Sequence, residues 1–403
     1  MKLKNAGFLI ALVFGLIVSA CTDDMGPLDD NGPVISESSQ GTVQMTNNGV
    51  ARRMIVVFKE GADLGAQEQK IKGFGITTLS RLNKIHAVSA MIPDHAHSVL
   101  LNDPAVLRID EDVIVRVNKK PTDKKPPPPP PDQDPQETPY GITLINADGL
   151  SNNGAGVKVA VFDTGIDYKH PDLNDNVKGG INIIKPRRTF ADDNGHGTHV
   201  SGTIAAENNS EGVVGVAPDA WLYGVKVLDR SGSGYLSYII AGPEWAENNG
   251  MQVINMSLST DSDIQSFHDA VDHANGAGIV IVCAAGNDGT TVDYPAAYSS
   301  TIAVSAVDGS YAVPWWSNTG EPIDFAAPGV DVLSTLRGGG YGTKSGTSMA
   351  RPHAAGVAAL AVYANSGSTP AEILGIMESN ADFRINLTSD QQGAGVVDAS
   401  AGL

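Results

Sequence analysis

Apolar residues along this chain fall into two rhythms, separated by a run of prolines. From about Met54, short β-like runs alternate with amphipathic ones, at 54–58, 64–74, 86–92, 95–101 and 106–117. That order predicts a small α+β unit of the β-α-β-β-α-β kind. After Tyr140 the runs at 157–162, 221–228, 253–256, 279–284 and 301–307 are apolar throughout. They alternate with helical stretches at 196–207, 235–248, 264–277 and 348–364. Unbroken apolar strands alternating with helices predict an α/β fold, a mainly parallel sheet covered on both faces. In such a sheet, chemistry gathers where strands end and helices begin. Pro243 lies inside one predicted helix and predicts a kink or a late start there.

The flanking segments carry different signals. Residues 1–20 hold Lys2 and Lys4, an apolar run at 6–18, then Ser19 and Ala20 before Cys21, which reads as an export signal rather than structure. The apolar run is short for a membrane span. Residues 21–50 are acidic and rich in Gly, Ser and Asn, the composition of a flexible tether. Six prolines, Pro126 to Pro131, lie within 119–139; such a run stays extended and cannot join a sheet or a helix, so it marks a domain boundary. The expected order is signal (1–20), tether (21–50), small domain (51–118), linker (119–139) and large domain (140–403).

Composition narrows the partners. With 27 Lys and Arg against 45 Asp and Glu, the 403-residue chain has a formal charge of -18, which argues against nucleic acid or anionic lipid as primary partners. Its 45 glycines suit an α/β enzyme with many tight loops. The two cysteines, Cys21 and Cys283, lie in such different contexts that no disulfide is expected between them. Cys283, in an apolar run, reads as a small buried hydrophobe.

Three motifs carry candidate chemistry. Asp163-Thr164-Gly165 places an acid at the end of a buried strand, where it either orients a histidine or caps a turn. In Asn194-Gly195-His196-Gly197-Thr198-His199 a histidine between glycines opens a helix. His199, one turn on, reads as structural; a His-x-x-His pair with no third ligand nearby is a weak metal signal. Gly346-Thr347-Ser348-Met349-Ala350 places a serine at the start of an Ala-rich helix. A serine there is either a cap or a nucleophile, and a nucleophile needs a base to take its proton and fixed dipoles awaiting the oxyanion. Each motif alone has a bland reading, but an acid, a histidine and a serine all at strand ends or helix starts point jointly to acyl transfer.

These motifs resemble the three active-site motifs of the subtilisin family of serine peptidases, and the likeness runs from about Gln136 to Gly402. The order Asp, His, Ser is the one already known for subtilisin. The resemblance implies a subtilisin-like three-layer α/β fold with a mainly parallel sheet, preceded by a small ferredoxin-like propeptide domain that acts as chaperone and intramolecular inhibitor. It implies Ser348 as nucleophile, His196 as general base and then acid, Asp163 as the carboxylate holding the imidazole, and Asn287 as oxyanion donor. Protein or peptide substrates, added as a β-strand, are expected along Ser231 to Gly234, with Gly232, Ser233 and Gly234 in contact, and along Ser257, Leu258, Ser259 and Thr260. Two glycines usually follow the leucine in the family, so Ser259 and Thr260 are a departure at the pocket wall. Asp293 matches a position at the bottom of the first specificity pocket, where a carboxylate favours Lys or Arg before the cut; a short loop at 288–292 leaves open that it turns to solvent instead. Gln136, Asp172 and Asn209, with carbonyls of Glu207, Glu211 and Val213, match the family's strong Ca²⁺ site, an oxygen-only set suited to calcium. Val18-Ser19-Ala20-Cys21 resembles a bacterial lipobox, implying lipidation at Cys21 and membrane attachment, with ordinary secretion as the alternative. The expected product is a monomeric enzyme exported from a bacterial cell.

Overall fold

The computed structural model describes residues 35–38, 41–46, 49–117 and 135–403. The expected signal, Cys21, most of the tether and the proline run lie outside the described residues.

The N-terminal module begins with β1 (Ile35–Ser38), β2 (Gly41–Thr46) and β3 (Gly49–Phe58). Then come α1 (Leu64–Gly73), β4 (Thr77–Leu82), β5 (Ala87–Pro93), α2 (Asp94–Leu101) and β6 (Val106–Glu111). Asp63 caps α1, its carboxylate accepting from the N–H groups of Gly65 and Ala66 (2.8 and 3.1 Å). From β3 to β6 this is the β-α-β-β-α-β order expected, and the sheet is antiparallel. β3 has two apolar faces because it separates two cores. Met54, Val56 and Phe58 pack with Ile71, Val88, Ile92 and Leu100 under the module's own helices. Ile55 and Val57, pointing the other way at period two, join a core built mainly by the large module.

The run at 106–117 divides at Asp112. Val106 to Asp112 resembles the last strand of the family's propeptide and forms β6, after which the chain leaves the module's sheet and forms a separate strand, β7 (Ile114–Val117). Asp112 is fully buried between the modules, and its carboxylate accepts from Arg53 Nε (2.5 Å), Ser237 N (2.7 Å) and Ser237 Oγ (2.7 Å). A buried carboxylate is costly unless its lone pairs are filled, and filling them here turns the chain.

The large module opens with the short helix α3 (Tyr140–Leu144), then β8 (Lys158–Asp163), β9 (Val177–Asn182) and α4 (His196–Ala205). There follow β10 (Trp221–Lys226), β11 (Ser233–Tyr235), α5 (Leu236–Asn248), β12 (Val253–Met256) and β13 (Leu258–Ser259). Helix α6 (Gln265–Gly276) leads to β14 (Val280–Ala284), β15 (Ile302–Val307) and β16 (Phe325–Pro328). The hairpin β17 (Val332–Leu336) and β18 (Gly340–Lys344) precedes α7 (Thr347–Ala364), α8 (Pro370–Asn380), α9 (Ser389–Gln392) and β19 (Gly395–Val396).

Eight strands form one parallel sheet in the order β19-β16-β15-β14-β12-β8-β10-β9. Alternate residues of its central strands feed opposite cores, as two covered faces require. Val159, Val161, Val253 and Val282 pack with α4 and α7, whereas Ala160, Phe162, Ile254 and Cys283 pack with α5 and α6. The fold is thus a three-layer α/β sandwich. Helix α5 begins at Leu236 and runs through Pro243, so no late start occurs. Among the described residues no helix is long and apolar enough to cross a membrane.

Candidate active site

Asp163 ends β8 and His196 begins α4, so the strand–helix boundary brings them together across the end of the sheet. His196 Nδ1 lies 2.9 and 2.8 Å from the two carboxylate oxygens of Asp163. The close approach depends on Gly197: a Cβ there would stand 2.1 Å from the Gly165 carbonyl and 3.0 Å from Asp163 Cβ. Burial alone would raise the Asp163 carboxyl, but the charge and hydrogen bond of His196, the Thr164 N–H (2.7 Å) and the field of Arg351 outweigh it and hold the group below the usual range. The acid is therefore ionised beside a histidine that it orients.

Ser348 is the second residue of α7, preceded by Gly346 at φ 155° and ψ 161°, a conformation essentially restricted to glycine. Its hydroxyl is buried and has no hydrogen-bond partner among the described residues. Bonds from a serine to its base are commonly long in the absence of substrate and tighten in the complex. Asn287, just past β14, accepts at Oδ1 from Thr347 N (2.8 Å) and Thr347 Oγ1 (2.9 Å). That grip fixes the amide and makes Nδ2 the end directed toward Gly346, 3.4 Å from where a Cβ on that glycine would lie.

Sequence reasoning missed Asp192. Its buried carboxylate accepts from Thr164 Oγ1 (2.9 Å), Gly195 N (2.8 Å), Thr198 N (3.0 Å) and Thr198 Oγ1 (2.6 Å). One side chain thus fastens the Asp163 turn to the start of the His196 helix. The readable signal is an acid just ahead of the Gly195-His196 helix start, a capping position. His199 is structural, as expected: its Nε2 lies 3.1 Å from the carbonyls of both Val332 and Gly342.

The two expected substrate edges are already paired. β7 lies between them, antiparallel to β11 (Ser233↔Arg116, Gly234↔Val115) and to β13 (Leu258↔Val117, Ser259↔Arg116). Val117 N donates to Gly232 O at 2.9 Å. Beyond Val117 opens a cavity of about 310 Å³ whose walls include Gly232, Asn287 and Asp288. The last residue of the strand therefore shares this cavity with Asn287.

Ser259 does not crowd this cleft. Its hydroxyl donates to Asp293 Oδ2 (2.6 Å), and Asn318 Nδ2 approaches Asp293 Oδ1 at 3.3 Å. Thr260 instead forms a two-bond bridge with Tyr294 (3.0 and 2.9 Å). Asp293 is half-buried and faces this network rather than solvent, and burial pushes its carboxyl up to about 6, with Asp288 and Asp261 adding to the rise.

The expected calcium residues form a second cluster. Gln136 Nε2 donates to the carbonyls of Glu207 (2.6 Å) and Val213 (3.1 Å). The buried Asp172 carboxylate accepts from Asn209 Nδ2 (3.1 Å) and Val213 N (2.9 Å), while Glu211 N donates to Asn209 Oδ1 (3.0 Å). Burial, with Glu207 and Glu211 nearby, pushes Asp172 up to about 7. A buried carboxylate grouped with amide and carbonyl oxygens is a donor set that fits a hard cation.

Residues 154–396 match the family model for subtilases. The chain belongs to the subtilase family. Subtilisin E of Bacillus subtilis is 42% identical over 363 residues, covering 87% of this chain and 90% of its own length. Subtilisin of Bacillus pumilus is 50% identical over 258 residues, covering 62% and 93%. A thermostable alkaline protease of Halalkalibacterium halodurans is 42% identical over 313 residues, covering 77% and 81%. This subtilase is a serine endopeptidase, and its substrates are proteins.

Proposed function

We propose that this subtilase cleaves peptide bonds through an acyl-enzyme formed on Ser348. His196 takes the serine proton and returns it to the leaving amine, Asp163 holds the imidazole tautomer, and Asn287 with the Ser348 N–H receives the oxyanion. The observation that carries this reading is the buried Asp163–His196 pair at 2.8 Å, with Ser348 opening a helix at the same end of the sheet. A serine-directed fluorophosphonate tests it. Wild type should be labelled and Ser348→Ala not, with activity of that variant reduced on the order of 10⁶-fold, the figure known for this knock-out in a subtilisin. Equal labelling of both would overturn the assignment.

The enzyme is made as a precursor that its N-terminal module inhibits. Support comes from β7, which fills both substrate edges with backbone hydrogen bonds, as a bound peptide would. The first cut falls between Asn118 and Lys125, and the proline linker stays with the enzyme unless trimmed near Gln136. N-terminal sequencing of the mature protein decides between these. A calcium ion held by Gln136, Asp172 and Asn209 with the carbonyls of Glu207, Glu211 and Val213 stiffens the large module. Asp293 draws Lys or Arg to the position before the cut. The protein is exported from a bacterial cell as a monomer and is either anchored through a lipid on Cys21 or secreted.

A further inference from the structure

Strand β7 lies along both substrate edges, and the edges sort its side chains. Val115 and Val117 are buried and join the core that contains Leu228, Leu236 and Leu258. Arg116, between them, is exposed and faces the other way, as a period of two requires. Its backbone is fixed from both sides, opposite Ser233 on one edge and Ser259 on the other. Its side chain borders the cavity of about 310 Å³ beyond Val117, whose described walls hold one base, Arg116, and one acid, Asp288.

The loop that carries Asp288 is pinned by its backbone. The N–H groups of Asp288 and Thr290 both donate to Asn318 Oδ1 (3.0 Å each), and Gly289 N donates to Trp316 O (2.9 Å). The Asp288 carboxylate itself is exposed and makes no hydrogen bond among the described residues, unlike that of Asp293, which Ser259 and Asn318 engage. Cations of the N-terminal module near the large module have acids of their own: Arg53 is paired with Asp112, Arg108 with Asp269 and Lys84 with Glu247. Arg116 has no such pair among the described residues, and the acid with which it shares a cavity is Asp288.

We propose that Asp288 is a specificity-determining residue that draws Lys or Arg to the substrate position held by Arg116, the one opposite Ser233 and Ser259. The inference rests on the reading that substrates add as a strand to the edges that β7 fills. The position is separate from the one before the cut, which Asp293 addresses. A substrate strand in this register turns its side chain at that position away from the core and toward the cavity, where a fixed carboxylate favours a cation and disfavours an acid. The attraction acts across a solvated rim, so the preference is a few-fold and weakens as salt rises.

The experiment gives the mature enzyme a synthetic peptide of residues 112–125 of this chain, together with its Arg116→Gln and Arg116→Glu versions. It reads kcat/KM per fluorophosphonate-labelled site and identifies the products by mass spectrometry. Wild type should favour Arg over Gln about threefold at low salt, and Gln over Glu by a similar factor, with the order fading at high salt. Asp288→Asn should bring the three peptides to one rate, while Asp293→Asn should keep the order. A Lys125→Gln peptide controls for net charge: its rate relative to the parent should be the same in wild type and in Asp288→Asn. Equal rates for the three peptides in wild type, an order that survives Asp288→Asn, a cut that moves with the residue at 116, or a Lys125 effect as large as that of Arg116 would each overturn the proposal. A peptide N-methylated at Val117 loses the N–H that donates to Gly232 O (2.9 Å) and should be cut about tenfold more slowly. An unaltered rate there, or a parent peptide left uncut, would sink the strand reading itself.

Discussion

Around Asp163, His196 and Ser348 the geometry comes from backbone, whereas at the pocket wall beside them it comes from side chains. Gly197 lets α4 touch the Asp163 turn, Gly346 takes a conformation restricted to glycine, and one strand end and two helix starts deliver the three side chains. At Ser259, Asp293 and Asn318 the chain uses a hydroxyl, a carboxylate and an amide bonded to one another. Backbone geometry leaves little to vary without loss of the reaction, while a side-chain network can change and alter only preference. The first region should therefore fail steeply when altered and the second gently.

The steepest test short of removing Ser348 is Asn287→Ala. Thr347 orients the amide, so losing it should lower kcat by about 10² to 10³ with little change in KM, a loss of ~2.7 to 4 kcal/mol in transition-state stabilisation. That range is the one measured for such a donor in a subtilisin. Steady-state kinetics checks it, and a change confined to KM would place Asn287 among residues that merely bind substrate.

Most of the candidate site was legible in the sequence because its requirements are local. An acid after an apolar strand, a histidine between glycines and a serine after glycine all announce themselves within five residues, and the five strands expected at the core of the sheet all form, within two residues at each end. What stayed hidden depends on partners distant in sequence. The edge strands β9 and β19 contain glycine and little apolar pattern, and β16 ends in proline, so neighbours rather than propensity make them strands. The separation of β7 from β6 needs Ser237, which lies 125 residues from Asp112. The bond from Ser259 to Asp293 is equally invisible along the chain, which is why Ser259 reads only as a departure at the pocket wall when it is a clasp.

That long-range joint is the next test. In the Ser348→Ala precursor, Asp112→Ala would strand the buried Arg53 guanidinium and the N–H of Ser237 at the start of α5. The loss should be about 3 kcal/mol in denaturant unfolding of the full precursor, within the range for breaking a buried pair. Trypsin should also release the N-terminal module sooner. Unchanged stability would mean that the modules are joined by apolar contacts alone.

Calcium removal should act on stability and spare the cluster's chemistry. Chelator should lower the melting temperature of mature enzyme by an amount reflecting ~2.7 kcal/mol if the ion is normally present at a hundred times its dissociation constant. Asp172→Asn should already be less stable and respond less to chelator. An identical melting temperature with and without chelator in the wild type would remove the ion from the account.

The smallest effect is expected at the pocket wall, and its pH dependence gives it a signature. Asp293 has its carboxyl raised to about 6, so it is charged above that pH and neutral below it. A preference for Lys or Arg over an uncharged residue of similar length should then be present at pH 7.5 and fade toward pH 5. Because the carboxylate is only half-buried and already accepts from Ser259, the gain is modest, about fivefold in relative kcat/KM or ~1 kcal/mol. Asp293→Asn should abolish both the preference and its pH dependence while leaving cleavage of the uncharged substrate nearly intact. Ser259→Gly separates the two regions most sharply: freeing a lone pair on Asp293 should strengthen the basic preference without touching the rate-limiting chemistry. A fall in kcat for every substrate would show that the wall and the catalytic cluster are one structure after all.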